Sequence, residues 1–423
     1  MTETAFDEAA YQQEIERNYR WNFVVNVLDG TFFWFGMSFV TGSTVIPVYA
    51  SRLTDSPVLI GLITAMASSG WFLPQLFTAN SVERLPRKKP YIVAAGLFAE
   101  RFPFLPLAIS TFLFAISQPK VALALLLLFY AWHCFGSGLL ATAWEDMIAK
   151  IIPLDRRGRF FGLANFGGAA LGILGAQVTT LILARYTFPN NFALCMALAF
   201  VVMFISWIFL ALTREPARPP GKERISHGEY WRRLPRLLRS DRNFSRYLLS
   251  RAFMGLGRMA SIGLATVYAV ERWQLPDQQA GIFTMILLIT QTVFNLIFGY
   301  VGDRRGHKVS LEVGLLAWCM SMMIALLAPT PAWFYLIFAA TGAATAAELV
   351  GGLMILLEFG GPDDRPTYVG LGNTTTGIFS AMAPLLGGWI ASMVGYPVLF
   401  AISLLLTLVA LALLRWAVRE PRT

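Results

Sequence analysis

The sequence predicts an all-α membrane protein, with twelve transmembrane helices arranged as two pseudo-symmetric bundles of six. Three observations carry that prediction. Hydrophobic residues make up 56% of the 423 and charged residues only 14%, where a soluble domain has about a quarter charged, and the mean hydropathy is +0.57. Apolar stretches of about 20 residues, the length that crosses a bilayer core, recur along the whole chain between short polar breaks. The second six of these stretches repeat landmarks of the first.

The stretches cover 22–50, 58–79, 91–115, 121–149, 160–184 and 191–212, and then 247–270, 280–301, 309–328, 333–357, 368–394 and 398–418. None shows the alternating polarity of a barrel strand, so helices are expected. Before the first lies a tail, 1–21, carrying Glu3, Asp7, Glu8, Glu14 and Glu16 without an apolar core, which does not read as a secretory signal. The tail has two readings, a short amphipathic helix through Phe6, Ile15 and Tyr19 or a plain leader into the first crossing.

The net charge of +9 is explained by topology rather than by nucleic acid. Lys and Arg crowd on the side of the N-terminus, while the opposite side holds only Arg52, Lys120, Arg185 and Arg272. Both termini are therefore expected in the cytoplasm, and the membrane is expected to be the plasma membrane. Cys134, Cys195 and Cys319 lie in apolar stretches without paired spacing, so neither a disulfide framework nor a metal site is indicated.

The one long polar stretch, 213–246, divides the helices into an N-terminal bundle, 22–212, and a C-terminal bundle, 247–418, with a short tail at 419–423. Its part from His227 to Tyr247 reads either as a basic helix on an anionic membrane surface or as a solvated linker. The halves match in order: Tyr49-Ala50 then Gly61 with Tyr268-Ala269 then Gly281, the loop at Glu83-Arg84 with that at Asp303-Arg304, and Arg157 to Gly162-Leu163 with Arg365 to Gly370-Leu371. Each half closes on Arg-Glu-Pro, at Arg214 and at Arg419. Four matches in one order identify two copies of a six-helix unit.

The loop Gly299-Tyr-Val-Gly-Asp303-Arg304-Arg-Gly306-His-Lys308 resembles the G-x-x-x-D-R-x-G-R-K motif of the major facilitator superfamily. The copy after the second helix, usually the stronger in that family, is degenerate here: Ala79, Glu83 and Pro86 replace Gly, Asp and Gly. The resemblance implies a secondary transporter working by alternating access. Asp303 would face the start of the fifth helix and Glu83 that of the eleventh, each carboxylate capping a positive helix end. An ordinary charged loop is the plainer reading.

The resemblance also implies that helices 1, 4, 7 and 10 line a central cavity. Each keeps one ionisable residue away from its ends: Asp29, His133, Arg258 and Glu348. Charge inside a bilayer is costly and marks function by default. Arg258 can bind an anionic group, while Asp29 or Glu348 can carry a coupling proton. A fixed Arg258 to Glu348 ion pair, and a His133 that only satisfies hydrogen bonds, are the structural alternatives. Glu100 and Arg101 on the third helix are adjacent, point about 100° apart and are expected to make separate inter-helix contacts. Trp34, Asn165, Gln291, Asn295 and Asn373 are further cavity candidates, with Phe35, Trp132 and Tyr268 as aromatic walls.

The fifth helix lacks the Gly-Pro pair of many antiporters in that family, which weakens the case for antiport. No nucleophile with a base and no phosphate-binding loop can be assembled, so neither an enzyme nor ATP-driven transport is expected. The expected function is proton-coupled transport of a small organic solute, with a uniporter or a non-transporting sensor as alternatives. The expected partners are that solute and the lipid bilayer, with no nucleic acid and no cofactor, and the chain is expected to act as a monomer.

Overall fold

A computed structural model describes residues 8–72, 74, 85–217, 238, 241–359 and 365–421. All regular structure among them is helical. α1 (Glu8–Ser38), α2 (Val45–Ser51) and α3 (Pro57–Phe72) come first, then α4 (Lys89–Ala95), α5 (Phe104–Phe114), α6 (Pro119–Ile151), α7 (Leu154–Arg185) and α8 (Asn190–Ala211). The second half brings α9 (Arg242–Gly257), α10 (Ile262–Arg272), α11 (Gln278–Arg305), α12 (His307–Leu327), α13 (Trp333–Glu358), α14 (Arg365–Val394) and α15 (Tyr396–Ala412). Ten helical spans among the described residues are long and apolar enough to cross a membrane, and Pro57–Trp71 is a shorter apolar helix. With α1 and α2 as the first crossing, this agrees with twelve. Of the basic linker helix expected at 227–247, residues 227–237 and 239–240 lie outside the described residues.

Many large apolar side chains are exposed. Phe112, Ile116, Phe166, Leu296 and Trp416 stand exposed, which water would penalise and lipid does not.

Three features depart from uninterrupted crossings. The tail helix is continuous with the first crossing, since α1 begins at Glu8 and buries Tyr11 and Ile15. The first helix of each half is broken near its far end, between α1 and α2 and again between α9 and α10, in each case a few residues before the repeated Tyr-Ala pair. The second break restarts on Ser261, whose hydroxyl accepts the Leu264 N–H, a helix N-cap. In the third crossing, a π-helical turn, Gly96–Arg101, separates α4 from α5. Pro103 follows it and has no N–H to continue an α-helical ladder, and Phe102 N–H reaches Leu97 O at 2.8 Å instead.

The chain forms two compact units, residues 1–41 with 70–223 and residues 42–69 with 224–423. In the first, Ile92, Met147, Ile148, Ile151, Phe160 and Leu210 make a core at the end where α4 begins. In the second, Phe244, Tyr247, Leu311, Ile355, Phe359 and Tyr368 do the same near the start of α9. Residues 42–69, which the sequence places in the first six-helix half, pack within the second unit. The Thr44 and Thr284 hydroxyls share a hydrogen bond, Thr266 Oγ1 donates to Ser43 O at 3.0 Å, and Arg52 pairs with Asp277 at 2.6 Å.

The repeated Arg-Glu-Pro is a fastener. Asn22 Nδ2 donates to Arg214 O and Arg214 N–H to Asn22 Oδ1, both at 2.8 Å. Asn243 and Arg419 repeat the exchange at 3.0 and 2.8 Å. The next residue then meets a helix start: Glu215 accepts the Lys89 N–H at 2.7 Å, and Glu420 lies against the Lys308 backbone. These carboxylates satisfy N–H groups that a first helical turn leaves unpaired.

Candidate functional site

Among the described residues, two charged clusters lie inside the helical layers, one in each unit. In the first unit the π-turn brings Glu100 and Arg101 toward α1 and α8. Arg101 Nη2 sits 3.2 Å from Asp29 Oδ1 and donates to Ser206 Oγ at 3.1 Å, while the Ser206 hydroxyl donates to Asp29 Oδ1 at 2.7 Å. Arg101 Nη1 meets Glu100 Oε2 at 2.6 Å and Gly96 O at 3.0 Å. The expectation of separate contacts for Glu100 and Arg101 is thus corrected. Their long side chains bend toward each other and both belong to one cluster.

His133 on α6 joins the cluster through its backbone side, its Nδ1 lying 2.6 Å from Glu100 O and its ring against Phe104. Asp29, Glu100, Arg101 and His133 are each less than 8% exposed. Two carboxyls therefore face one guanidinium in a dry interior.

In the second unit Arg258, at the end of α9, forms an ion pair with Glu348 of α13. Both side chains are about one-third exposed, unlike the sealed cluster of the first unit. The Arg258 guanidinium lies over the Trp318 ring, 5.3 Å from its centre. A cleft of about 20 Å³, room for a water molecule, is bounded by Met254, Arg258, Gly314, Trp318 and Glu348 among others.

Arg251, which depth in the sequence assigns to a helix end, is buried in α9. Its Nε donates to Thr376 Oγ1 at 2.6 Å, and its Nη1 to Tyr247 Oη at 2.9 Å and Gly352 O at 3.3 Å. The signal that finds it is its spacing of seven from Arg258, which places both on one face two turns apart.

The remaining candidates are scattered. Trp34 is exposed and packs over Gly168. Asn165 and Asn373 are exposed, and Gln291 and Asn295 half-buried, with the Asn295 Oδ1 buried and without a hydrogen bond among the described residues. Trp132 is exposed and Phe35 half-buried. Tyr268 is buried among Trp273, Phe334, Tyr396 and Phe400, which makes it a core residue.

Of the loop motif, Glu83, Arg84 and the Asp303 side chain lie outside the described residues. Gly299 lies on α11 with open space around its Cα. Gly306 has φ +88°, where a side chain is strained, and a Cβ there would strike the Glu420 carboxylate. Arg304 stacks on Tyr300. Lys308 Nζ donates to Val418 O at 2.7 Å and Arg415 O at 3.2 Å, so this motif cation meets the carbonyl end of its own unit's last helix.

The corresponding end of the first unit pairs Lys88 with Asp146 at 2.7 Å and Lys150 with Glu215 at 3.4 Å. Burial works against the Lys88 ammonium, but the Asp146 hydrogen bond and the nearby carboxylates hold it above its ordinary value. At Glu420, burial and the adjacent Glu358 push the carboxyl up against the opposing pull of Lys308.

Residues 247–423 match the family model described as Major Facilitator Superfamily. An uncharacterised MFS-type transporter of Methanocaldococcus jannaschii is 21% identical over 351 residues, covering 82% of this chain and 83% of its own. A probable chloroplastic anion transporter of Oryza sativa subsp. japonica is 22% identical over 385 residues, 86% of this chain and 63% of its own. Among solved structures, a variant of the nucleoside transporter NupG aligns with a TM-score of 0.70 at 14% identity, over 92% of this chain and 98% of that one. A D-xylose-proton symporter aligns with a TM-score of 0.70 at 14% identity, over 96% and 99%. These structural likenesses establish the fold.

Proposed function

We propose that the chain is a transporter of the major facilitator type, which moves a small organic solute across the plasma membrane by alternating access, driven by a proton gradient. The observation that carries the transport reading is the Arg258–Glu348 pair, held partly open beside a cleft rather than sealed. An ion pair left partly open avoids the full desolvation penalty of a sealed one and keeps its polar groups within reach of a ligand. This one keeps donors free for a solute, with the Trp318 ring as a flat apolar wall.

The proton reading rests on the first unit. Asp29 and Glu100 share a single Arg101, so with both ionised the cluster holds one surplus negative charge where ions are expensive. A proton on either carboxyl cancels it. Glu348 is less suited to the task, because it has Arg258 to itself as a partner, whereas Asp29 shares Arg101 with Glu100. Asp29 is therefore the favoured carrier of the two carboxyls on presumed cavity helices. Proton uptake at a group whose surroundings change with conformation links the gradient to the cycle. The crowding of basic residues on one side supports cytoplasmic termini.

The test is flux in proteoliposomes, using a solute first found by thermal-shift screening of the purified protein. Asp29→Asn is expected to exchange solute across the membrane yet fail to concentrate it under an imposed pH gradient. Equal accumulation by the wild-type protein with and without a pH gradient, in the absence of sodium, would replace symport with uniport. Binding without any flux would leave a sensor.

A further inference from the structure

The facing sides of α9 and α13 form a ladder with two rungs, and only one rung is balanced. On the upper rung Arg258 meets Glu348. One turn along α13, Gly352 stands opposite Arg251 and offers a backbone carbonyl where a carboxylate would complete the second rung. The remaining partners of Arg251 are the Tyr247 and Thr376 hydroxyls, both neutral. Its Nη2 makes no hydrogen bond among the described residues, and the residue is 8% exposed. Among the described residues, one carboxylate, paired with Arg258, thus stands near two guanidiniums in a helical layer where an uncompensated cation is costly.

We infer that the α9–α13 ladder is an oxyanion-binding site, and that the solute carries a carboxylate or phosphate group which Arg258 and Arg251 bind together. The inference rests on the transport reading only for the occupant's being cargo; the site itself follows from the charge count. A singly charged anion closes the count, the guanidinium fork matches the two oxygens of such a group, and Trp318 covers the apolar remainder. Met254 lies between the two arginines in the sequence of α9 and lines the cleft. A carboxylate at that position would supply the missing charge from within.

The experiment is thermal unfolding of the purified full-length protein in a low-salt buffer against matched solutes: benzoate with benzyl alcohol, 3-phosphoglycerate with glycerol, and gluconate with glucose, plus inorganic phosphate alone. At least one anion is expected to raise the midpoint where its neutral counterpart does not. Arg251→Gln is expected to weaken that response about tenfold or more, the scale of losing a hydrogen bond to a charged group, with Arg251→Lys between. Met254→Glu needs no ligand. It is expected to raise the midpoint and abolish the anion response.

The site is overturned if neutral counterparts act as well as anions, if no anion acts, or if Met254→Glu lowers the midpoint and leaves the response intact. Should Arg251→Gln fail to fold, the wild-type pairs and Met254→Glu still decide. Anion binding without anion flux in proteoliposomes would sink the transport reading and keep the site. Flux of a neutral solute unaffected by Arg251→Lys would keep transport and sink the site.

Discussion

The two halves of the chain agree at their ends and disagree in their interiors. Asn22 with Arg214 and Asn243 with Arg419 make the same two-bond exchange, and the glutamate after each arginine meets the backbone at a helix start. Inside, the first half buries two carboxyls with one guanidinium, while the second holds two guanidiniums with one carboxylate and leaves part of that cluster open. A duplicated unit must keep whatever ties its last helix to its first and third. The interior charges are free to diverge, and here they differ in sign.

The sharpest way to break this comparison is to remove one guanidinium from each half. Arg101→Leu strands two buried carboxyls and is expected to cost about 3–5 kcal/mol, the range for breaking a buried ion pair. Arg258→Leu, in a pair one-third exposed, is expected to cost no more than about 1 kcal/mol while abolishing transport. Thermal unfolding in detergent alongside proteoliposome flux separates the two. Equal destabilisation would erase the distinction between a sealed cluster and an open one.

Arg258→Lys sharpens the same point. The protein is expected to fold as the wild type does but to bind its solute about tenfold more weakly, since an ammonium does not reproduce the planar fork of the guanidinium. Unchanged affinity in a binding titration would reduce Arg258 to a structural role.

The fasteners should respond in parallel. Asn22→Ala is expected to cost about 1–3 kcal/mol, because Asn22 is fully buried and its loss leaves the Arg214 backbone groups unpaired. Asn243→Ala, half-buried, should lose about half as much. A reversed order in chemical unfolding would show that the repeat is not energetically parallel.

The smallest expected effect is pH-dependent. Glu215 meets the ammonium of Lys150, whereas Glu420 meets Glu358 and its carboxyl is pushed up. A carboxyl whose folded pKa lies above its unfolded value binds more protons in the fold, so stability rises as pH falls through the folded pKa and levels off below the unfolded one. Glu420→Gln is expected to flatten that rise and to add less than about 1 kcal/mol at neutral pH. A steeper pH dependence in the variant would assign the slope to another group.

Hydropathy and the repeat made the fold legible, because lipid demands long apolar helices and a duplication leaves matching loops. The helix breaks before Val45 and Ile262 were not legible, since a window of about 20 residues averages over a turn of irregular backbone. Arg258 and Glu348 were readable as ionisable groups on presumed cavity helices. Arg251 looks like a helix-end residue in the sequence because the apolar run begins at Tyr247, whereas α9 begins at Arg242. Nine residues at 1.5 Å each put Arg251 about 13 Å into the helix. The inter-helix contact read for Arg101 is present, but its pairing with Glu100 was not legible, because side-chain direction on an ideal helix does not describe a π-turn with two long, bending side chains.

The packing of α2 and α3 within the second unit bears on how the chain is made. These helices leave the ribosome early, but their partners on α10, α11 and α14 are encoded about 190 residues or more beyond Ser69. At a synthesis rate of roughly 5–20 residues per second, that is a wait of about 10–40 s. During it, Gly61, which later meets Gly388 and Pro384, faces lipid or the insertion machinery. The first six helices are therefore not a finished folding unit when the linker emerges, and a first half expressed alone would hold its second crossing without the surface that receives it.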